Sequence, residues 1–102
     1  MDGARFGLTH QHVDILTRVL FDPLRTAGFR VGIFGSRARG VQAAFSDIDV
    51  LIQGTPCADL VARVREQLEE STLPYRVDLV EERDLAASYR DSVMQDIVWL
   101  WD

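Results

Sequence analysis

Two acidic residues, Asp47 and Asp49, flank one apolar residue in a segment with the pattern of a half-buried strand. Alternate side chains of a strand share a face and lie roughly 6.5 to 7 Å apart, so both carboxylates are expected on one face. Ile48, Val50 and Ile52 then point into a core. Like charges at this range repel, and oxygen ligands suit Mg²⁺ or Mn²⁺. The spacing predicts a metal site, although a strand with one solvent-facing side explains the pair equally well.

Asp78 is a third candidate acid, in the middle of Arg-Val-Asp-Leu-Val. Strand alternation places Val77 and Leu79 on one face and Asp78 on the other. A buried carboxylate is costly unless it is paired or binds a metal, so Asp78 is predicted to complete the site. The alternative is an exposed residue on an open face.

Gly35 and Ser36 follow an apolar strand pattern and begin the run Gly-Ser-Arg-Ala-Arg-Gly. A glycine corner lets backbone amides and a hydroxyl approach phosphate oxygens closely. Five residues separate Gly40 from Ser46, which directly precedes the acidic pair. The combined spacing, more than the Gly-Ser pair, indicates phosphate chemistry.

Gly-Ser-Arg-Ala-Arg-Gly, five residues and then Ser-Asp-Ile-Asp resembles the signature of the DNA polymerase β-like nucleotidyltransferase superfamily. It is most similar to the minimal nucleotidyltransferases of the MNT or MntA type. The resemblance implies a mixed sheet flanked by helices and two Mg²⁺ ions. It also implies attack of an acceptor hydroxyl on the α-phosphate of an NTP, expected to be ATP. On this basis Asp47 and Asp49 ligate both ions, and Asp78 ligates the catalytic ion and accepts the hydroxyl proton.

The same resemblance assigns a nucleotide site. Gly35 and Ser36 would hold the β and γ phosphates, and Ser46 is assigned to the same site. Arg37 and Arg39 would neutralise the triphosphate, but a structural or solvated arginine is an equal alternative for each, because a guanidinium suits phosphates and carboxylates alike.

The acceptor is expected to come from another chain or from a second copy, because relatives that modify small molecules usually add a helical region that this sequence lacks. MNT proteins of this size resemble the antitoxin of HEPN–MNT toxin–antitoxin pairs. The first hypothesis is therefore a protein adenylyltransferase that modifies a tyrosine of a HEPN ribonuclease toxin, in a pair of the type VII kind. A non-catalytic binding module and a small-molecule nucleotidyltransferase of the aminoglycoside type are the alternatives.

Composition excludes several other classes. All eleven basic residues are arginine, so a Walker A lysine, a Schiff-base lysine and an adenylated lysine are absent. The formal net charge of −5 argues against direct nucleic-acid binding. Without a long apolar stretch or a signal-peptide pattern, no membrane association and a cytoplasmic location are expected. Cys57, the single cysteine, is expected to pack near a helix start.

Alternating strand and helix patterns predict one α/β (α+β) domain over residues 1–102, with a mixed sheet of three to four strands flanked by helices. The predicted elements are a helix from a Thr9 cap to about Gly28 with a kink at Asp22-Pro23, strands Arg30 to Phe34, Asp47 to Ile52 and Tyr75 to Val80, a helix capped by Thr55 with Pro56 as its first residue and ending near Ser71, a helix capped by Asp84 and running towards Asp96, and a strand or helical turn over Ile97 to Trp101.

Overall fold

A four-stranded mixed sheet forms the centre of the molecule in a computed structural model that describes residues 5–100. The strands are β1 (Arg30–Phe34), β2 (Ile48–Gln53), β3 (Val77–Glu81) and β4 (Val98–Trp99), in the order β3-β2-β1-β4. β1 is antiparallel to both β2 and β4, whereas β2 and β3 are parallel. The sheet confirms the predicted α/β class and places three of the candidate site segments on neighbouring strands.

In the part of the chain that the structure describes, five α-helices connect and flank these strands. They are α1 (His10–Leu16), α2 (Asp22–Thr26), α3 (Ser36–Arg39), α4 (Ala58–Glu70) and α5 (Ala87–Asp96). A π-helical turn over Thr17–Phe21 joins α1 to α2, and 3₁₀ turns occupy Arg5–Gly7 and Glu82–Asp84. No helix within residues 5–100 has the length and apolar character to cross a membrane.

The hydrophobic core lies on one face of the sheet. Its fully buried members are Leu8, Leu16, Leu20, Leu24, Val31, Ile33, Ile48, Val50, Ile52 and Val64. The alternation predicted for β2 is therefore confirmed, because the side chains next to Asp49 in sequence are completely buried. This packing holds β2 rigidly and leaves the carboxylate of Asp49 on the opposite face.

The first helix begins as predicted, and its kink has a specific form. Thr9 caps α1 in a capping box, in which His12 N donates to Thr9 Oγ1 and Thr9 N donates to His12 Nδ1, both at 3.2 Å. The π-helical turn ends immediately before α2, which has Pro23 in its first turn. Because proline lacks an N–H and crowds the preceding turn, the helix widens there.

Two predicted helix starts are wrong. Pro56 is buried and lies before α4, which begins only at Ala58, so Thr55 is not the cap. Asp84 belongs to a 3₁₀ turn closed by a hydrogen bond from Leu85 N to Glu82 O, and α5 begins after Ala86 instead. In both cases the connecting loop is longer than local capping residues indicated.

Smaller corrections concern the strands and the cysteine. β2 begins at Ile48, one residue after Asp47, and β3 begins at Val77, two residues after Tyr75. Cys57 lies near a helix start as expected, but it is exposed rather than packed. The end of the chain forms a strand up to Trp99, and Trp101 lies outside the described residues.

Candidate active site

Acidic residues lie side by side across two strands. In the parallel register Asp49 on β2 is the partner of Asp78 on β3, so both side chains lie on the sheet face opposite the core. Asp47 precedes β2 by one residue. Asp49 is partly buried, whereas Asp47 and Asp78 are exposed. The three predicted acids therefore occupy one end of the sheet.

The charge of Asp49 is disfavoured in this arrangement. Burial raises the pKa of its carboxyl group above the ordinary value of 3.8, and the negative charges of Asp78 and Asp47 raise it further. The guanidinium groups of Arg37 and Arg39 act in the opposite direction. A cation placed among the acids would relieve the repulsion, which is the electrostatic requirement of a metal site.

Gly35 brings the backbone at the end of β1 against this acid. Its φ of 77° is unfavourable for other residues. A Cβ at this position would lie 2.3 Å from Asp49 Oδ2, so the close approach itself requires glycine. Ser36 follows as the first residue of α3. The first turn of a helix presents amides without an intrahelical acceptor, so the corner has the donors that phosphate oxygens need.

Arg39 lies at the edge of the site. Its Nη1 donates to Asp96 Oδ2 at the end of α5, and the Arg39 side chain is half exposed. Its positive charge acts on Asp49, where it lowers the pKa. Arg39 thus combines a structural ion pair with a charge close to the acids, and the predicted role in neutralising a triphosphate remains a prediction.

Arg37 makes the contacts of a structural arginine, which is one of the two alternatives for it, and its predicted role at the nucleotide remains a prediction. The residue is only 2% exposed. Its Nε and Nη2 donate to Ser46 O at 3.1 and 2.7 Å, and its Nη1 donates to Phe6 O at 2.8 Å. The guanidinium also lies over the ring of Tyr75, with Cζ 4.4 Å from the ring centroid. A buried guanidinium needs its donors satisfied, and here backbone carbonyls satisfy three of them.

Ser46 is likewise a loop residue in this structure. Its Oγ accepts a hydrogen bond from Ala43 N at 2.8 Å, and its carbonyl accepts from Arg37. Both contacts shape the segment before Asp47, and the predicted role of Ser46 in the nucleotide site remains a prediction. Sequence reasoning did not identify Tyr75, which contacts Arg37, or Asp96, which contacts Arg39. Each lies far along the chain from its arginine, so no local pattern indicates the contact.

The acids fit a site whose ions are completed by a substrate. Within residues 5–100, no three His, Cys, Asp or Glu side chains converge closely enough to hold an ion by themselves. Mg²⁺ usually takes one or two carboxylates and fills its remaining positions with water and phosphate oxygens. Asp49, whose negative charge is repelled by its neighbours, is the candidate carboxylate ligand, and the adjoining Gly35 corner is the candidate site for the phosphate oxygens. The ligand roles of the three aspartates remain predictions.

Comparison with known proteins decides the family. Residues 13–100 match the nucleotidyltransferase domain family. The chain belongs to this nucleotidyltransferase family. The resemblance inferred from the Gly-Ser and Asp-x-Asp spacing is thereby confirmed, and so is the predicted enzyme class.

Individual relatives come from bacteria and archaea. MntA of Haemophilus influenzae, described as a probable protein adenylyltransferase, is 34% identical over 67 residues, or 64% of this chain and 59% of that protein. The protein adenylyltransferase MntA of Thermococcus cleftensis is 31% identical over 71 residues, or 69% of this chain and 72% of that protein. The match therefore spans less than two thirds of the Haemophilus protein.

A solved structure supports the fold assignment. The crystal structure of a toxin–antitoxin with AMP-PNP is similar with a TM-score of 0.63 and 25% identity, covering 82% of this chain and 71% of that chain. This similarity confirms the nucleotidyltransferase fold predicted from the motif.

Proposed function

We propose that this chain transfers AMP from ATP to a hydroxyl group of a partner toxin, and that it acts as the antitoxin of the pair. The observation that carries the proposal is the order of groups across the sheet, with Gly35 at the end of β1, Asp49 on β2 and Asp78 on β3. MntA of Thermococcus cleftensis is a protein adenylyltransferase, MntA of Haemophilus influenzae is described as a probable one, and the structural relative is a toxin–antitoxin with AMP-PNP. A tyrosine of a HEPN ribonuclease is the proposed acceptor.

The order of these groups across the sheet fits the geometry that the proposed transfer needs. Asp49 lies between the Gly35 corner and Asp78, so a triphosphate held at the corner and an acceptor beside Asp78 would approach from opposite sides. In-line displacement needs this separation of leaving and attacking groups. The acceptor oxygen forms a bond to the α-phosphorus, the bond to the bridging oxygen of the β-phosphate breaks, and pyrophosphate leaves.

The protein residues have distinct roles in this scheme. Gly35 and Ser36 would hold the β and γ phosphates through the start of α3, while Asp47 and Asp49 would hold the metal ions. Asp78, which is exposed, receives the proton of the acceptor hydroxyl. Mg²⁺ ions bound there would supply charge stabilisation at the attacking and leaving oxygens.

The decisive experiment mixes the purified protein with ATP, Mg²⁺ and the product of any adjacent HEPN gene, followed by intact-mass spectrometry of both chains. We expect additions of AMP on the toxin, and their loss in Asp47→Asn and Asp49→Asn. Asp59→Asn, an exposed acid of α4, is the matched control and should retain the modification. Replacement of the modified toxin tyrosine by phenylalanine tests the acceptor atom.

One outcome would overturn the proposal in favour of contact alone. If the Asp47→Asn/Asp49→Asn double variant neutralises the toxin completely and neither chain changes mass, the chain is a binding module. If the protein modifies an aminoglycoside without any toxin, the acceptor is a small molecule.

A further inference from the structure

Arg37 contacts the segments that precede two of the candidate acids. Ser46, whose carbonyl accepts from both Nε and Nη2, is the residue directly before Asp47. Tyr75, whose ring lies beneath the guanidinium, is three residues before Asp78. One buried side chain therefore touches the approach to β2 and the approach to β3.

The same side chain also reaches the 3₁₀ turn at Arg5–Gly7. Nη1 donates to Phe6 O, in a turn where Phe6 itself has a φ of 61°. A Cβ at Gly7, whose φ is 71°, would lie 2.4 Å from Gln42 Nε2 and 3.1 Å from Arg37 Nη1. A left-handed conformation at a non-glycine residue persists only where the surroundings determine it. This turn thus braces Arg37 and the loop after α3.

Arg37 itself belongs to the helix that follows Gly35, and the Gly35 backbone lies against Asp49. The guanidinium is planar and has donors in a fixed fork, so it can fix the relative positions of several carbonyl groups at once. Lysine has one rotatable ammonium and lacks this geometry.

We propose that Arg37 is the positioning residue of the active site. It sets the distance between the segments that carry Asp47, Asp49 and Asp78, and it does so through Ser46, Tyr75 and the turn at Phe6 without touching the substrate. Only the expected effect of Arg37 on metal binding rests on the proposed function. Its structural part, the fixing of residues 43–48, is independent of catalysis.

The test compares Arg37→Lys with two controls. Val64→Ala removes a buried part of a side chain of α4, so it is the control for a general loss of stability. Arg39→Gln removes the other positive charge that acts on Asp49 but none of the carbonyl contacts. Two quantities are measured: hydrogen exchange of the backbone amides over 43–48 without metal, and the affinity for Mn²⁺ with α,β-methylene-ATP, which cannot release pyrophosphate.

We expect Arg37→Lys to accelerate exchange over 43–48 beyond either control and to weaken Mn²⁺ binding by about tenfold, as is usual when a group that orients metal ligands is lost. Equal exchange over 43–48 in Arg37→Lys and Val64→Ala would overturn the proposal. If exchange accelerates and wild-type protein binds no Mn²⁺, the positioning role stands and the proposed metal chemistry fails. If exchange accelerates but Mn²⁺ affinity equals that of wild type, Arg37 is structural only and the proposal is wrong.

A milder variant covers the case in which Arg37→Lys does not fold. Tyr75→Leu removes the ring beneath the guanidinium, whereas Tyr75→Phe keeps it. We expect Tyr75→Leu to shift both measurements in the direction of Arg37→Lys and Tyr75→Phe to leave them near wild type. Identical behaviour of the two Tyr75 variants would contradict the proposal.

Discussion

At the scale of single residues, the surroundings of Asp49 disfavour the negative charge of its carboxylate. Its pKa is raised by burial and by the charges of Asp78 and Asp47. Between the ordinary pKa and the raised one, the folded protein binds more protons than the unfolded chain does. The free energy of unfolding must therefore fall as pH rises through this interval, the reverse of the usual behaviour of a salt-bridged carboxylate.

We accordingly expect Asp49→Asn to raise the Tm of the metal-free protein at pH 7 and to remove the part of its pH dependence that comes from ionisation of Asp49 above the ordinary carboxyl pKa. The amide cannot ionise, so it avoids both the repulsion and the cost of burying a charge. Thermal unfolding in EDTA at several pH values measures this, with Asp91→Asn, an exposed residue of α5, as the control. A lower Tm for Asp49→Asn at these pH values would show that its carboxylate is stabilising instead.

Gly35 gives a second prediction at this scale. Gly35→Ala should lower kcat by about a hundredfold or more, because the new Cβ would displace the Asp49 carboxylate and small misplacements of catalytic groups cost this much. Gly28→Ala is the matched control, since its φ of 93° carries a similar backbone strain but no heavy atom lies within 4 Å of its Cβ. Both should lose about 1 to 3 kcal/mol of stability, and only Gly35→Ala should lose activity. Similar kcat values for the two variants would rule out the close approach as the reason for glycine.

At the scale of elements, the sequence predicted what depends on local pattern. The alternation of apolar and acidic residues in Ile48-Asp49-Val50 predicted β2 and its solvent-facing side, and Thr9 predicted the start of α1. The start of α4 was misplaced because Pro56 is buried by tertiary packing, which overrides its preference for a first helical turn. The structural role of Arg37 could not be predicted either, since Phe6 and Ser46 approach it only in the folded chain.

The side chains of Ile97 and Trp99 pack over Gly32 of β1, on the sheet face that carries Asp49, and this contact gives an element-scale prediction. A Cβ at Gly32 would lie 2.6 Å from Ile97 Cγ1 and 3.1 Å from Trp99 Cε3. Gly32→Ala should therefore destabilise the protein by about 1 to 3 kcal/mol through overpacking. Urea unfolding measures this loss. The additional substitution Ile97→Val should recover part of it, because residues in contact are not additive. If the changes in unfolding free energy of Gly32→Ala and Ile97→Val simply add in the double variant, the two residues are not closely packed and the prediction is wrong.

At the scale of the whole molecule, the charge distribution makes ligand binding and folding interdependent. The chain has a formal net charge of −5, and three of its acids, Asp47, Asp49 and Asp78, lie at one end of the sheet, where the charges of the other two repel that of Asp49. In the proposed function, cations and a triphosphate would bind at this end, and they would do so only in the folded state. Anything that binds the folded state alone stabilises it by an amount set by its concentration relative to Kd.

Mg²⁺ together with α,β-methylene-ATP at one hundred times Kd should therefore stabilise the fold by about 2.7 kcal/mol. For a domain of this size that amounts to roughly 10 °C or more in Tm. The nucleotide in EDTA should give a much smaller shift, because its phosphates would meet the acids without an intervening cation. The Asp47→Asn/Asp49→Asn variant should respond weakly to both, since it lacks the carboxylates that hold the ions. An equal shift in EDTA, or in the double variant, would place nucleotide binding elsewhere on the molecule and separate it from Asp47 and Asp49.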